Sequence, residues 1–204
     1  MSGSGHWDER YSAEEYVWKT DPHQFLASEV EGLAIGRSLD LATGEGRNAV
    51  WLATQGWQST GLDFSAVGLA KGAKLAESVG VTVEWIHADA TVWTTADKFD
   101  LCVVFYLQVP QAQRTAAFAA AAQCLAPGGT VLVVGHDRAN LRDGYGGPQD
   151  TNVLYSADEV QQDLLASELP DLVIDHAGQK LRSVETADGG AVAIDCLVRA
   201  HRAA

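Results

Sequence analysis

The amino-acid sequence predicts a doubly wound α/β sandwich, a seven-stranded and mostly parallel sheet with helices on both faces. Three observations lead there. Apolar runs of strand length alternate with longer stretches of helical period. The runs are about four to eight residues long and the helical periods about ten or more, as in a parallel sheet covered on both faces. Glycine, proline and serine fall where helix and strand must change over.

The strands read in order as SLDLA (38–42), WQSTGLDF (57–64), VEWIHAD (83–89), FDLCVVFY (99–106), TVLVVGHD (130–137), LVIDHAG (172–178) and AVAIDCLVRA (191–200). The helices between them are NAVWLATQG (48–56), AVGLAKGAKLAESVG (66–80), QAQRTAAFAAAAQCLA (111–126) and SADEVQQDLLAS (156–167). Gly56 and Gly80 follow helices, where a left-handed residue closes the last turn. Ser65 and Ser156 stand at N-caps, and Asp158 and Glu159 enrich the first turn after Ser156. Pro127–Gly128–Gly129 stops an alanine-rich helix, and its small run 116–122 suits close packing on the sheet. Right-handed crossovers then wind these units into one domain over residues 1–204. The irregular stretch 137–155 is long for a compact domain, which marks it as a substrate-side loop.

Composition narrows the function classes. The chain carries 14 basic against 27 acidic residues, a net charge of −13, which argues against nucleic acid or an anionic membrane as a partner. No apolar run reaches membrane-spanning length and no secretory leader is legible at the start. Cys102, Cys124 and Cys196 lie far apart in apolar segments, as buried thiols of a cytoplasmic protein do. Six histidines without H-x-x-H or H-E-x-x-H give no metal site. G-x-S-x-G, the mark of a serine hydrolase, is absent. The expected partner is a small-molecule substrate, and the expected state is a monomer or homodimer.

In open α/β sheets, ligands sit outside the carboxyl ends of the strands. Asp40, Asp63, Asp89, Phe105 and His136 all fall at such ends. Between Asp40 and the first helix runs the tight turn Gly44–Glu45–Gly46. Glycines let backbone N–H groups approach a ligand, and the helix start adds partial positive charge. Asp63 follows Asp40 by 23 residues and can accept both hydroxyls of a ribose. A nucleoside-bearing cofactor fits this pattern.

Two cofactors compete. Gly44 to Ala49 spells G-x-G-x-x-A, the dinucleotide fingerprint. Asp40, however, would face a pyrophosphate with a like charge, whereas it suits the ammonium of a methionine moiety. Asp89 and Ala90 end the third strand, where an acid can accept an adenine amino group. No tyrosine is followed by lysine four residues on, as a short-chain dehydrogenase needs. The balance favours S-adenosylmethionine over NAD.

At these residues the chain resembles the class I SAM-dependent methyltransferases. Asp40–Gly46 looks like that family's first motif, Asp63 like its ribose acid, Asp89 like its adenine acid and Leu125–Gly129 like its turn after the fifth-strand helix. Gly44-Glu45-Gly46-Arg47-Asn48 with Leu62-Asp63-Phe64-Ser65 is similar to the small bacterial group around the tellurite-resistance and thiopurine methyltransferases. So are Gly146–Gly147–Pro148 and Leu154–Tyr155–Ser156. The resemblance implies a Rossmann-like sheet whose last strand, 191–200, runs antiparallel. It implies S-adenosyl-L-methionine as cofactor, with S-adenosyl-L-homocysteine as product. Implied cofactor contacts are Trp18, Asp40, Ala42, Gly44, Gly46, Asn48, Asp63, Phe64, Ser65, Asp89, Ala90 and Phe105. Members of the narrow group methylate sulfur, selenium, tellurium or other small heteroatom nucleophiles.

Two departures stand out. Ala42 replaces the first glycine of the usual Gly-Cys-Gly, adding a methyl where the backbone passes the cofactor. Tyr106 stands where the group often has histidine. On the substrate side the candidates are Tyr11, Tyr16, Tyr106, His136, Arg138 and Tyr145. No catalytic residue is assigned, with His136 as a base and Tyr106 as the candidates. Trp7 is read as packing, and Trp18 as part of an aromatic lid within residues 1–25. Glu45 is either a solvated loop acid or a contact. The function expected is methyl transfer to a thiol or related heteroatom. The alternatives are O- or N-methylation of a small metabolite and a SAM-binding protein without transfer activity.

Overall fold

The computed structural model describes residues 4–13, 16–17, 19–187 and 189–204. Seven strands form one sheet: β1 (Arg37–Leu41), β2 (Gln58–Asp63), β3 (Glu84–His87), β4 (Phe99–Phe105), β5 (Leu125–His136), β6 (Leu172–Thr186) and β7 (Gly189–Arg202). Their order is β3-β2-β1-β4-β5-β7-β6. β1 to β5 are parallel, and β7 runs antiparallel to both β5 and β6. This is the Rossmann-like arrangement expected. Strand order reverses between β1 and β4, so the crevice opens above their carboxyl ends.

The helices are α1 (Ser4–Ala13), α2 (Leu26–Val30), α3 (Arg47–Thr54), α4 (Ala66–Ser78), α5 (Gln111–Gln123), α6 (Asn140–Asp143) and α7 (Ala157–Leu165). Neither α2 nor α6 is legible in the periodicity, because each is too short to show one. The caps follow the sequence. The Ser65 hydroxyl accepts from the Gly68 N–H, and Ser156 with Glu159 forms a complete capping box. Gly56 and Gly80 take the left-handed conformation past α3 and α4.

β4 shows why both faces are covered. Side chains alternate across a strand. Leu101, Val103 and Phe105 join Leu26, Val30 and Leu52 on one side, while Cys102 and Val104 join Ala117, Phe118, Val160 and Leu164 on the other. Helix α5 comes close because Ala117, Ala121 and Ala122 face the sheet. β5 starts earlier than the sequence suggests. Phe99 already pairs with Leu125, and the next pair is Leu101 with Thr130, so Pro127–Gly129 forms a bulge inside the strand. β6 and β7 extend well past the expected hairpin, and the far end of β6 reaches the crevice.

Trp85 on β3 fixes the first turn of the sheet. A Cβ at Gly46, Gly61 or Gly72 would lie 2.5–2.6 Å from its ring. Glycine at these positions lets loop, strand and helix close on one indole. Gly46 also has φ of +78°. Gly46→Ala therefore combines left-handed strain with a clash, and should lose about 2–4 kcal/mol of stability in urea unfolding.

Candidate active site

The crevice holds a cavity of about 2030 Å³. Its lining comes from the carboxyl ends of β1 to β5, the N-terminal segment, the loop after β5 and the end of β6. One side carries Asp40, Ala42, Gly44, Asp63, Phe64, Asp89 and Ala90, and the other carries Phe105, Tyr106, His136 and Arg182.

The loop after β1 takes left-handed turns at Ala42 (φ 62°), Gly44 (φ 58°) and Gly46 (φ 78°). Two buried carboxylates hold it. Asp40 accepts from the Thr43 hydroxyl and from the Ala49 N–H at 3.2 Å. Asp63 accepts from the N–H groups of Gly44 (2.8 Å) and Ser65 (2.9 Å). Burial pushes the Asp40 carboxyl up to about 6, against the opposing pull of the Thr43 hydrogen bond. Burial raises Asp63 too, and the backbone N–H groups of Ser65 and Gly44 moderate that.

Arg47 opens α3 beside them. Its guanidinium is largely buried, and among the described residues neither it nor Asp40 forms an ion pair. Glu45 turns out to be a buried structural acid. It accepts from the Val17 N–H and pairs with Lys71 at 2.9 Å. Asn48 Oδ1 accepts from the His23 N–H at 2.9 Å, and Ser65 donates to Asp8. The N-terminal segment thus hangs from the cofactor loop and the helix starts beside it. Tyr11 is buried there with its hydroxyl against Gly44, on the loop rather than the expected substrate side. Trp7 packs against Tyr11, with ring centroids 5.5 Å apart. Tyr16 lines the cavity with the Lys71 ammonium over its ring. Trp18 lies outside the described residues.

Two expected cofactor contacts do not reach the cavity. Gly46 faces Trp85, and the Ser65 hydroxyl is taken up by the α4 cap and Asp8. Both lie in the matching motif, but their work is to shape the loop. Asp89 lines the cavity with one oxygen bonded to the N–H and hydroxyl of Thr91. Arg138 also reaches the cavity, with its guanidinium engaged by Glu159 and the Thr151 carbonyl. Tyr145 sits half-exposed at the rim.

The opposite wall is built on Asp195, a fully buried acid on β7 that the sequence reading passed over. Tyr106 donates to it at 2.7 Å and Arg182 at 2.6 Å. His23 Nδ1 accepts from the Phe25 N–H, which assigns the proton to Nε2 and makes it the donor to Tyr106 Oη at 2.8 Å. Both sides of the Tyr106 hydroxyl are therefore occupied. Burial pushes the Tyr106 phenol up, and Asp195 adds to it. Burial alone would raise Asp195, but His136, Arg182 and Tyr106 facing it bring it below the usual carboxylate range. Burial pulls His23 down to about 3, so it is neutral at physiological pH. Asp195 could be suspected only as an acid inside the apolar run AVAIDCLV. Nothing local links it to a tyrosine 89 residues away.

Residues 39–129 match the family described as "Methyltransferase domain". The match runs from within β1 through β4 into the start of β5, so it spans the glycine loop and both buried carboxylates. No curated protein sequence matches the chain. Among solved structures, one from work on conversion of a disulfide bond into a thioacetal group during echinomycin biosynthesis superposes with a TM-score of 0.75 at 21% identity, covering 98% of this chain and 93% of that one. TehB from Haemophilus influenzae gives 0.73 at 14%, covering 98% and 66%. The N-methyltransferase NodS from Bradyrhizobium japonicum WM9, in complex with S-adenosyl-L-homocysteine, gives 0.69 at 19%, covering 98% of each. At these identities the likeness is one of fold.

Ala42 is the irregular position of the loop after β1. An L-residue at φ of 62° costs about 1–2 kcal/mol, which glycine avoids while adding unfolded-state entropy of about 0.4–1 kcal/mol. Ala42→Gly should raise the melting temperature by about 2–4 °C in calorimetry.

Proposed function

We propose that this chain transfers the methyl group of S-adenosylmethionine to a small-molecule acceptor, at a thiol or related heteroatom. The observation that carries this is two largely buried opposite charges lining the cavity at either end of the glycine loop, Asp40 near the end of β1 and Arg47 at the start of α3, with no ion pair between them among the described residues. They fit the ammonium and carboxylate of an amino-acid end. Asp63 suits the ribose, and Asp89 with Phe64 and Ala90 suits the adenine. The sulfonium supplies an already activated methyl group, so the protein's work is positioning and exclusion of water. At about 2030 Å³ the cavity exceeds the common range for one ligand, leaving room for an acceptor on the Tyr106 side.

The acceptor is taken to be a small molecule. The acidic balance supports this over nucleic acid, and among the described residues no helix is long and apolar enough to cross a membrane. The free, buried thiols of Cys102, Cys124 and Cys196 suit a cytoplasmic protein. We take residues 1–204 as one domain, monomeric or dimeric, with a lid in 1–25 and a substrate-side loop in 137–155. A second reading, O- or N-methyl transfer, is favoured by His136 standing beside Asp195.

Calorimetric titration tests the cofactor, and S-adenosylhomocysteine release over thiols, selenite, tellurite, phenols and amines tests the reaction. The expected result is S-adenosylhomocysteine binding with turnover of a thiol-type acceptor. NADH binding without S-adenosylhomocysteine binding would overturn the reading. Tight binding without turnover would leave a binding protein.

The pH dependence has a defined sign. With its carboxyl raised to about 6, Asp40 is protonated at pH 5 and cannot hold an ammonium. Affinity for S-adenosylhomocysteine should fall about tenfold between pH 7 and pH 5. Asp40→Asn should bind more weakly at pH 7 and show a flatter profile. In the free protein the same group lowers stability as pH rises from about 4 to about 6, because the unfolded chain releases that proton first.

A further inference from the structure

We infer that His136 and Asp195 form a proton-accepting pair, in which Nε2 of His136 takes the proton that an acceptor hydroxyl or amine loses while Asp195 fixes the ring. This rests on the methyl-transfer reading and deepens its second branch, transfer to a hydroxyl or amine, while leaving an ionised thiol able to react without the pair.

The pair is built into the sheet. His136 ends β5, and its register partner on β7 is Asp195. Nδ1 lies 3.2 Å from Asp195 Oδ1, off the line of a well-formed hydrogen bond, and among the described residues no other polar atom partners it. Such contacts are often loose before substrate binds. Nδ1 is the buried nitrogen of a residue that lines the cavity, which leaves Nε2 on the open side. The ring cannot swing freely. The Tyr106 ring packs against it at a tilt, with centroids 4.7 Å apart, and a Cβ on Gly147 would stand 3.0 Å from it. The His136 N–H donates to Gln108 Oε1 at 3.0 Å, fixing the backbone.

The surrounding charges suit the role. Arg182 and Tyr106 hold Asp195 as an anion, and His23 is neutral, so a proton arriving at His136 faces one carboxylate already balanced by one guanidinium. Tyr106 cannot compete for the proton, because its oxygen is engaged by His23 and Asp195. In the step itself, the acceptor's lone pair forms the bond to the methyl carbon. The carbon–sulfur bond breaks with both electrons staying on sulfur. The acceptor's proton moves to Nε2 and leaves to water when the cavity opens. His136 is the catalytic group, and Asp195 is a positioning residue.

Two measurements test the pair. In the 15N-edited NMR spectrum of the ligand-free protein, His136 should carry its proton on Nδ1, and Asp195→Asn should move it toward Nε2. An Nε2–H tautomer in the wild-type spectrum would overturn the assignment, and that spectrum decides the matter even if Asp195→Asn misfolds. In kinetics, His136→Gln should lose about hundredfold or more in kcat on hydroxyl and amine acceptors, with KM within about threefold and unchanged S-adenosylhomocysteine affinity. Thiols already ionised should lose little. Free imidazole should restore turnover to His136→Gly. Full activity of His136→Gln on hydroxyls and amines would sink the proposal. Failure of the wild type to bind S-adenosylhomocysteine would instead sink the methyl-transfer reading, and the tautomer would still report on the pair.

Discussion

Two buried carboxylates set the shape of the loop on which the site depends. Asp63 gathers the N–H groups of Gly44 and Ser65, so the turn after β1 and the turn after β2 are tied to one side chain. Asp40 does the same for Thr43 and the first turn of α3. A carboxylate has room for about four hydrogen bonds, so each acid can hold the loop and still accept from a ligand. The cost is burial of negative charge without an ion pair, visible in the raised Asp40 and Asp63 carboxyls. A cationic ligand offsets that cost. Structure and affinity thus draw on the same two groups.

The roof depends on this loop. Val17 is held by Glu45, His23 by Asn48, Asp8 by Ser65, and Tyr11 packs over Gly44. Each anchor lies on the glycine loop or at the start of α3 or α4. His23 extends the linkage across the cavity, since its Nε2 meets Tyr106 and Tyr106 meets Asp195. The glycine-loop side and the Asp195 side of the cavity are joined through a histidine that burial keeps neutral.

The parts of the fold set by local pattern were legible. Strands β1 to β5, their helices and the serine caps follow from apolar runs and punctuation a few residues apart. The placement of Asp40, Asp63 and Asp89 on the cavity was legible for the same reason, since each closes an apolar run in a parallel sheet. The bulge at Pro127–Gly129 was not, because pairing of Phe99 with Leu125 depends on a neighbouring strand. The Asp195 cluster was not, because its members come from β4, β5, β6, β7 and the N-terminal segment. Glu45 and Arg47 were in plain view in the glycine turn. Their burial depends on Lys71 and the roof, which no spacing reveals. Gly46 and Ser65 erred in the opposite way, since a motif records what shapes a loop as well as what touches a ligand.

Backbone strain marks the same crevice independently. Among the described residues, three non-glycines have positive φ: Ala42, Tyr106 and Glu168. Glu168 lies in the turn after α7. Ala42 and Tyr106 follow β1 and β4, the neighbouring strands between which the order reverses. Each costs on the order of 1–3 kcal/mol that the surrounding structure must over-determine. At Tyr106 the supporting contacts are identifiable. The turn breaks the strand's direction, and the phenol meets His23 and Asp195 while its ring packs against that of His136. A tyrosine continuing the strand would have no reason for the left-handed turn. The strain thus belongs to the wall built on Asp195, where it holds Tyr106 against the histidine whose Nδ1 faces Asp195.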